Sequence, residues 1–200
     1  LKITRKTKFS KTLVSISRIA PIKGLELLLD ACKKLDFNGW KILIYGNGSE
    51  EYINKIQKII IKNKLNENIK LKKAVFNEEK CKVLSEASAF ILPSYSESFG
   101  IAIAEAMFFG LPIITTTKTP WKVIKSKNLG WFVKPEKEAL ASALQKLFNS
   151  SENNLLRIGN RAKSFISKKY DLMSTSKQMK EEIISSIQIR KWFLKLYKYE

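Results

Sequence analysis

No histidine occurs anywhere in the 200 residues. Imidazole is therefore excluded as general base, proton shuttle or metal ligand, the roles it most often fills near neutral pH. Cysteine is nearly as scarce. Cys32 and Cys81 form no CxxC pair and no Cys/His cluster, so a metal site is not expected. Both fall in predicted amphipathic helices and read as buried, reduced thiols of a cytoplasmic protein. Apolar runs stop far short of the roughly 20 residues needed to span a bilayer, so no transmembrane helix is expected. The chain opens on Leu1 without an initiator methionine or the ordered charge, apolar stretch and cleavage site of a leader, and reads as a fragment. Acidic residues are also few: 18 Asp and Glu stand against 37 Lys and Arg, a formal net charge of +19.

Such a charge draws anions over long range, and three partners fit: nucleic acid, acidic lipid or a phosphate-bearing ligand. The basic residues spread over every predicted helix and loop, whereas a nucleic-acid footprint gathers on one face or stripe. A solvated lysine-rich surface accounts for most of the excess. The 44% hydrophobic content and the length suit one large or two small globular domains with a sizeable core.

What is present is an alternation. Residues 1–11 are polar and basic, with Lys2, Arg5, Lys6, Lys8 and Lys11, and read as a linker. Residues 12–17 suit a buried strand, followed by a turn around Pro21 and Gly24 and a helical pattern through Leu25, Leu28, Leu29, Cys32 and Leu35. The pairing recurs with strands at 41–45, 69–75, 89–92 and 112–115, a sixth candidate at 130–133, and helices at 50–64, 77–87 and 99–109. Beyond residue 136 the pattern is helical. Strands alternating with helices imply right-handed crossovers, hence an α/β domain with a doubly wound parallel sheet and additional C-terminal helices. The domain is expected over 12–170, with a basic helical extension over 171–200.

In such sheets ligands bind beyond the carboxyl ends of the strands. The loops at issue are 18–24, 46–49, 75–79 and 93–100. The last is the richest: Glu97 precedes a helix predicted to open at Phe99-Gly100, and Glu105 lies about two turns into it. The amides of Phe99, Gly100, Ile101 and Ala102 would then point out of a helix N-terminus, a setting that favours phosphate. On spacing alone Glu97 reads equally as an acid complementing the helix dipole, and Glu105 as a surface charge. The apolar neighbours of Glu105 make a carboxylate costly there unless it is paired. Arg18 and Lys23 flank the turn after the first strand, a fork and a point charge suited to phosphate oxygens. Gly46-Asn47-Gly48 lacks the third glycine of a dinucleotide fingerprint and the Lys-Ser/Thr of a P-loop, so a tight turn is its expected role.

Taken in order, Ser17-Arg18 with Lys23-Gly24, Tyr45-Gly46-Asn47-Gly48, Pro93-Ser94, Glu97-Ser98-Phe99-Gly100, Glu105-Ala106-Met107 and Gly110-Leu111-Pro112 resemble the C-terminal domain of GT-B-fold retaining glycosyltransferases of family 4, or group 1. The resemblance covers roughly residues 12 to 170. It implies a Rossmann-like, donor-binding domain whose substrate is a nucleotide-diphosphate sugar, UDP- or GDP-linked, with no metal and no other cofactor. By motif, Glu97 resembles the family's sugar contact and Glu105 its ribose contact. Arg18 and Lys23 resemble the diphosphate clamp, and Ser98, Phe99, Gly100, Ile101 and Ala102 the loop and amides beside it. Val75 and Lys80 correspond to the loop that meets the base. Thr119-Pro120-Trp121-Lys122 and Leu129-Gly130-Trp131-Phe132 are similar to bacterial members that build lipopolysaccharide and other surface polysaccharides.

The same resemblance implies that a second, N-terminal α/β domain binds a glycan or lipid-linked acceptor, and that this chain alone is inactive. The segment 189–199 sets Ile189, Trp192, Phe193, Leu196 and Tyr197 beside Arg190, Lys191, Lys195 and Lys198. It could pack on that other domain or rest on an acidic membrane at the inner face of the cell. A non-catalytic nucleotide- or polyanion-binding module stays open as the alternative, and sequence-blind binding of nucleic acid, with its steep salt dependence, is the least favoured reading.

Overall fold

The computed structural model describes residues 9–173. Among them the apolar runs form β1 (Thr12–Ile16), β2 (Lys41–Tyr45), β3 (Ile69–Lys72), β4 (Ala89–Leu92), β5 (Ile113–Thr116) and β6 (Gly130–Val133). Between and after them lie α1 (Leu25–Cys32), α2 (Glu50–Lys62), α3 (Asn77–Glu86), α4 (Ile101–Phe108), α5 (Val123–Ser126), α6 (Lys137–Phe148) and α7 (Glu152–Met173). Every strand pairing is parallel, in the spatial order β3-β2-β1-β4-β5-β6. The expected doubly wound sheet is therefore present, and its order reverses between β1 and β4. That reversal opens a crevice at the carboxyl ends of these two strands.

Because side chains alternate along a strand, the parallel register sorts them onto two faces. Leu13, Ile42, Ile44, Ile69, Ala89, Ile91 and Ile114 are buried in one core with apolar residues of α1, α2 and α6. Val14, Phe90, Leu92 and Ile113 take the opposite face, against which α3, α4 and α5 lie. Trp40, fully buried, stacks on Phe148 at 5.6 Å between ring centroids and meets Phe9 edge-on at 5.8 Å. One compact unit runs to Lys163, and α7 from Ser164 onward belongs to a second. No helix among the described residues is long and apolar enough to cross a membrane. The basic segment 189–199 and most of the 1–11 stretch lie outside the described residues.

Several boundaries differ from the sequence expectation, for local reasons. α4 begins at Ile101, two residues later than predicted, because Gly100 takes φ +75° and caps the helix from the left-handed region. Phe99 and Gly100 thus precede the helix, and Glu105 sits about one turn into it. β3 ends at Lys72 rather than Val75, and β5 is shifted one residue to 113–116. The four-residue α5 has too few positions to show a period and was not indicated. α2 carries its own signals: Ser49 accepts the Tyr52 amide at 3.3 Å, Glu50 and Glu51 open the first turn and Lys62 closes the last. The two thiols are unlike one another, since Cys32 is buried but Cys81 only half-buried. α3 covers its half of the sheet with a single fully buried residue, Leu84, which leaves Cys81 near its margin.

Two outcomes follow for stability. Burial pushes the Cys32 thiol up to about 12, so at pH 8 it is protonated and inert. An alkylating reagent should therefore modify one thiol, Cys81, in the native chain and two after denaturation; two rapid modifications under native conditions would contradict the packing of α1. The unfolded Cys32 thiol ionises near 9.0, before the folded one, so its contribution to stability is full below that pH and falls as pH rises toward about 12. Gly24 holds φ +69°, and a Cβ there would collide with the carbonyl oxygen of Pro93. Gly24→Ala is expected to cost at least ~2 kcal/mol in urea denaturation, the sum of left-handed strain and the collision. A change within about 0.5 kcal/mol would show that contact to be slack.

Candidate functional site

The crevice is built from backbone before any side chain enters it. After β1 the chain runs against the loop after β2, with the Ser17 amide donating to the Tyr45 carbonyl at 3.1 Å and the Ile19 amide to the Asn47 carbonyl at 2.8 Å. A Cβ on Gly46 or Gly48 would strike the carbonyl oxygens of Ser17 and Ile19, respectively. The Gly-Asn-Gly sequence thus serves close approach of two main chains, in keeping with a turn rather than a phosphate cradle. Next comes a short 3-10 turn, Pro21–Lys23, which Gly24 ends in the left-handed region while also capping α1. Gly24 rests on Pro93 of the β4 loop, and the Tyr95 amide donates to the Ile22 carbonyl at 2.8 Å. Loops after β1, β2 and β4 are therefore held together by main-chain contacts.

Lys23 is delivered by this packing to Glu97. Its Nζ donates to Glu97 Oε1 at 2.6 Å, and Ser94 Oγ donates to the same oxygen at 2.7 Å. The Lys23 and Glu97 side chains are only 14% and 10% exposed. Ser94 is itself fully buried and fixed from β5, where Thr116 Oγ1 donates to the Ser94 carbonyl at 2.5 Å and Thr115 Oγ1 to the Leu92 carbonyl at 2.7 Å. The other oxygen of Glu97, Oε2, accepts no hydrogen bond from the described residues.

A second pair repeats the pattern between α3 and α4. Lys80 Nζ of α3 donates to Glu105 Oε1 of α4, and Oε2 of Glu105 is again unused by the described residues. Between the pairs lies the α4 N-terminus. The Ile103 amide donates to the Gly100 carbonyl at 2.8 Å, which leaves the amides of Ile101 and Ala102 without a backbone acceptor. The approach to α4 is fixed by Trp121, whose Nε1 donates to the Phe99 carbonyl at 2.5 Å and whose ring lies 5.3 Å from that of Phe99.

Of the residues singled out from sequence, Lys23 and Glu97 meet, as do Lys80 and Glu105. Arg18 is exposed on the β1 loop and forms no ion pair with the described residues. Ser98 is exposed beside Glu97, and Val75 is buried at the end of the β3 loop. Sequence reading did not single out Ser94, Thr116 or Trp121 as supports. Ser94 had a signal, since a serine directly after a buried strand and three residues before a glutamate is in reach of it. Thr116 and Trp121 act from another strand's loop and had none. Among the described residues no group of three or more acids and cysteines could hold a metal ion.

Comparison with known proteins bears on the family and the fold. The pattern of the family described as "Glycosyl transferases group 1" matches residues 2–165. The putative colanic acid biosynthesis glycosyltransferase WcaL of Salmonella typhimurium is 25% identical over 178 residues, 84% of this chain and 43% of WcaL. A mutant of S. aureus TarM, in complex with Fondaparinux, alpha-GlcNAc-glycerol and UDP, is 27% identical. It superposes with a TM-score of 0.72 over 85% of this chain and 35% of its own. The C-terminal domain of a group 1 family protein (LpcC) from Francisella tularensis shares the fold at 16% identity, with a TM-score of 0.74 over 84% of this chain and 95% of that domain. The chain spans less than half the length of WcaL and of TarM. With a GT-B-type sheet, the paired glutamates at its switch point and a family match over most of its length, this chain belongs to the group 1 glycosyl transferases.

Proposed function

We propose that the crevice between β1 and β4 binds the nucleotide-diphosphate sugar donor of a retaining glycosyltransferase, a UDP- or GDP-sugar. The observation that carries this reading is the arrangement of two glutamates astride the α4 N-terminus, each fixed through one carboxylate oxygen with the other left open. A carboxylate held in this way is a preorganised acceptor for hydroxyls. Glu97 takes the hydroxyls of the donor sugar and Glu105 those of the ribose. The diphosphate lies between them, on the amides of Ile101 and Ala102 and the positive end of α4, with the Ser98-Phe99-Gly100 loop beside it. Val75 and Lys80 stand at the base end.

Transfer breaks the bond between the anomeric carbon and the diphosphate, the electron pair departing on phosphate oxygen, and forms a bond from an acceptor hydroxyl oxygen to the same face of that carbon, the hydroxyl proton passing to the departing phosphate oxygen. Charge that develops there is met by Arg18, Lys23 and the helix amides, which stabilise the transition state more than the ground state. Lys23 carries three N–H donors and can reach phosphate while keeping Glu97 oriented. On this reading no metal ion is required. The TarM complex with UDP supports the donor class, and the name of WcaL supports an acceptor in surface polysaccharide synthesis, glycan or lipid-linked. A second α/β domain supplies the acceptor side, and the reaction takes place in the cytoplasm at the inner face of the membrane.

A thermal-shift panel of UDP, GDP, ADP and their sugars tests the donor site. A ligand at a hundred times its Kd should raise stability by ~2.7 kcal/mol. No shift with any of them, together with a longer protein that neither hydrolyses nor transfers from nucleotide sugars, would sink the proposal. Arg18→Ala should leave folding stability within about 0.5 kcal/mol, because the side chain is exposed, yet lower kcat of the longer protein by about a hundredfold. Lys23→Ala should affect both quantities, since it leaves the Glu97 carboxylate without its cation in a site only 10% exposed. Equal effects of the two substitutions on stability would contradict the geometry.

A further inference from the structure

Glu105 has no means of orientation within its own helix. Positions one turn away are Ile101, Ala102 and Phe108 on α4 and Phe109 at its C-cap, none with a side chain able to bond a carboxylate. Its neighbours Ile101 and Phe108 are 60% and 50% exposed, and the Glu105 side chain, itself 30% exposed, receives no hydrogen bond from its own helix. What fixes it comes from a different βα unit: Lys80, in the first turn of α3 and 19% exposed, reaches Glu105 Oε1. The neighbouring acids Glu78 and Glu79 lie two positions and one position away on α3, where side chains do not face one another, and both are exposed. Glu105 is the only acid that Lys80 pairs with among the described residues.

We infer that Lys80 is the positioning residue for Glu105: by occupying Oε1 it aims Oε2 at the ribose diol, so Lys80 sets the preference for a ribonucleotide through Glu105. This rests on the donor-site reading above and adds a residue whose effect is on the sugar of the nucleotide. A lysine that touched only the base would act on ribose and dideoxyribose nucleotides alike. A lysine that works through Glu105 acts only when the diol is there to be bound.

The test measures Kd of the 200-residue chain for UDP, GDP and their 2′,3′-dideoxy forms. Wild type should prefer the ribonucleotide by about tenfold or more, as expected for hydroxyls bound to a charged acceptor. Lys80→Met should collapse that preference to below about threefold, chiefly by weakening the ribonucleotide, and Lys80→Arg should restore most of it. Glu105→Gln should collapse it as well, and adding Lys80→Met to Glu105→Gln should change it no further. Equal weakening of both nucleotide forms by Lys80→Met, or a preference that survives Glu105→Gln, would overturn the inference while leaving the donor site standing. The second result decides even if Lys80→Met fails to fold. Failure of the wild-type chain to bind UDP or GDP would remove the donor-site reading itself and this inference with it.

Discussion

Everything chemical in this domain depends on how closely main chain approaches main chain at the carboxyl edge of the sheet. Gly24 lies on the Pro93 carbonyl, Gly46 on that of Ser17 and Gly48 on that of Ile19. A side chain at any of the three would push the loops after β1, β2 and β4 apart. Ångström-scale displacement is enough to matter, because the charged groups they carry work at hydrogen-bond distance. The threonines at the end of β5 extend this framework by hydrogen bonds to the β4 main chain at Leu92 and Ser94. Glu97 is thus held by a serine, which is held by a strand two places away from the lysine that neutralises the carboxylate.

The electrostatics of the crevice differ from those of the rest of the surface. Most lysines among the described residues are exposed, and exposed pairs such as Lys55 with Glu26, at 59% and 40% exposure, contribute little, on the order of 0 to 1 kcal/mol. The Lys23–Glu97 pair is largely withdrawn from water, where losing one partner costs more than the pair contributes. The charge excess therefore says little about function by itself. Location decides which lysines matter.

How far the sequence went can be judged from particular residues. Strands β1, β2 and β4 were legible because apolar runs of four to six residues end at serine, glycine and proline, and the alternation with helices implied the parallel sheet. Glu97, Glu105, Arg18 and Lys23 were singled out through their order along the chain, and of these the structure joins Lys23 to Glu97 and leaves Arg18 exposed. The α4 start was not, since the helical period extends back through Phe99 and only the backbone angle of Gly100 sets the boundary. Nor was the meeting of Lys80 with Glu105, 25 residues apart, because no spacing rule links the first turn of one crossover helix to the next. The exposure of Cys81 also depended on how much of the sheet α3 covers, a property of packing rather than of its own period.

The use of one oxygen on each glutamate has a consequence for selectivity among anions. Lys23 and Lys80 are both occupied by carboxylates, so these two positions offer no bare pair of lysines to a stray phosphate. An ion bringing charge alone finds Arg18 and the α4 amides, but it must compete with Glu97 for Lys23 and is repelled by the open carboxylate oxygens. A molecule carrying hydroxyls on either side of its charge satisfies those oxygens and the helix amides together. On the donor-site reading, the two internal counter-ions favour a ligand that brings hydroxyls over one that brings phosphate charge alone.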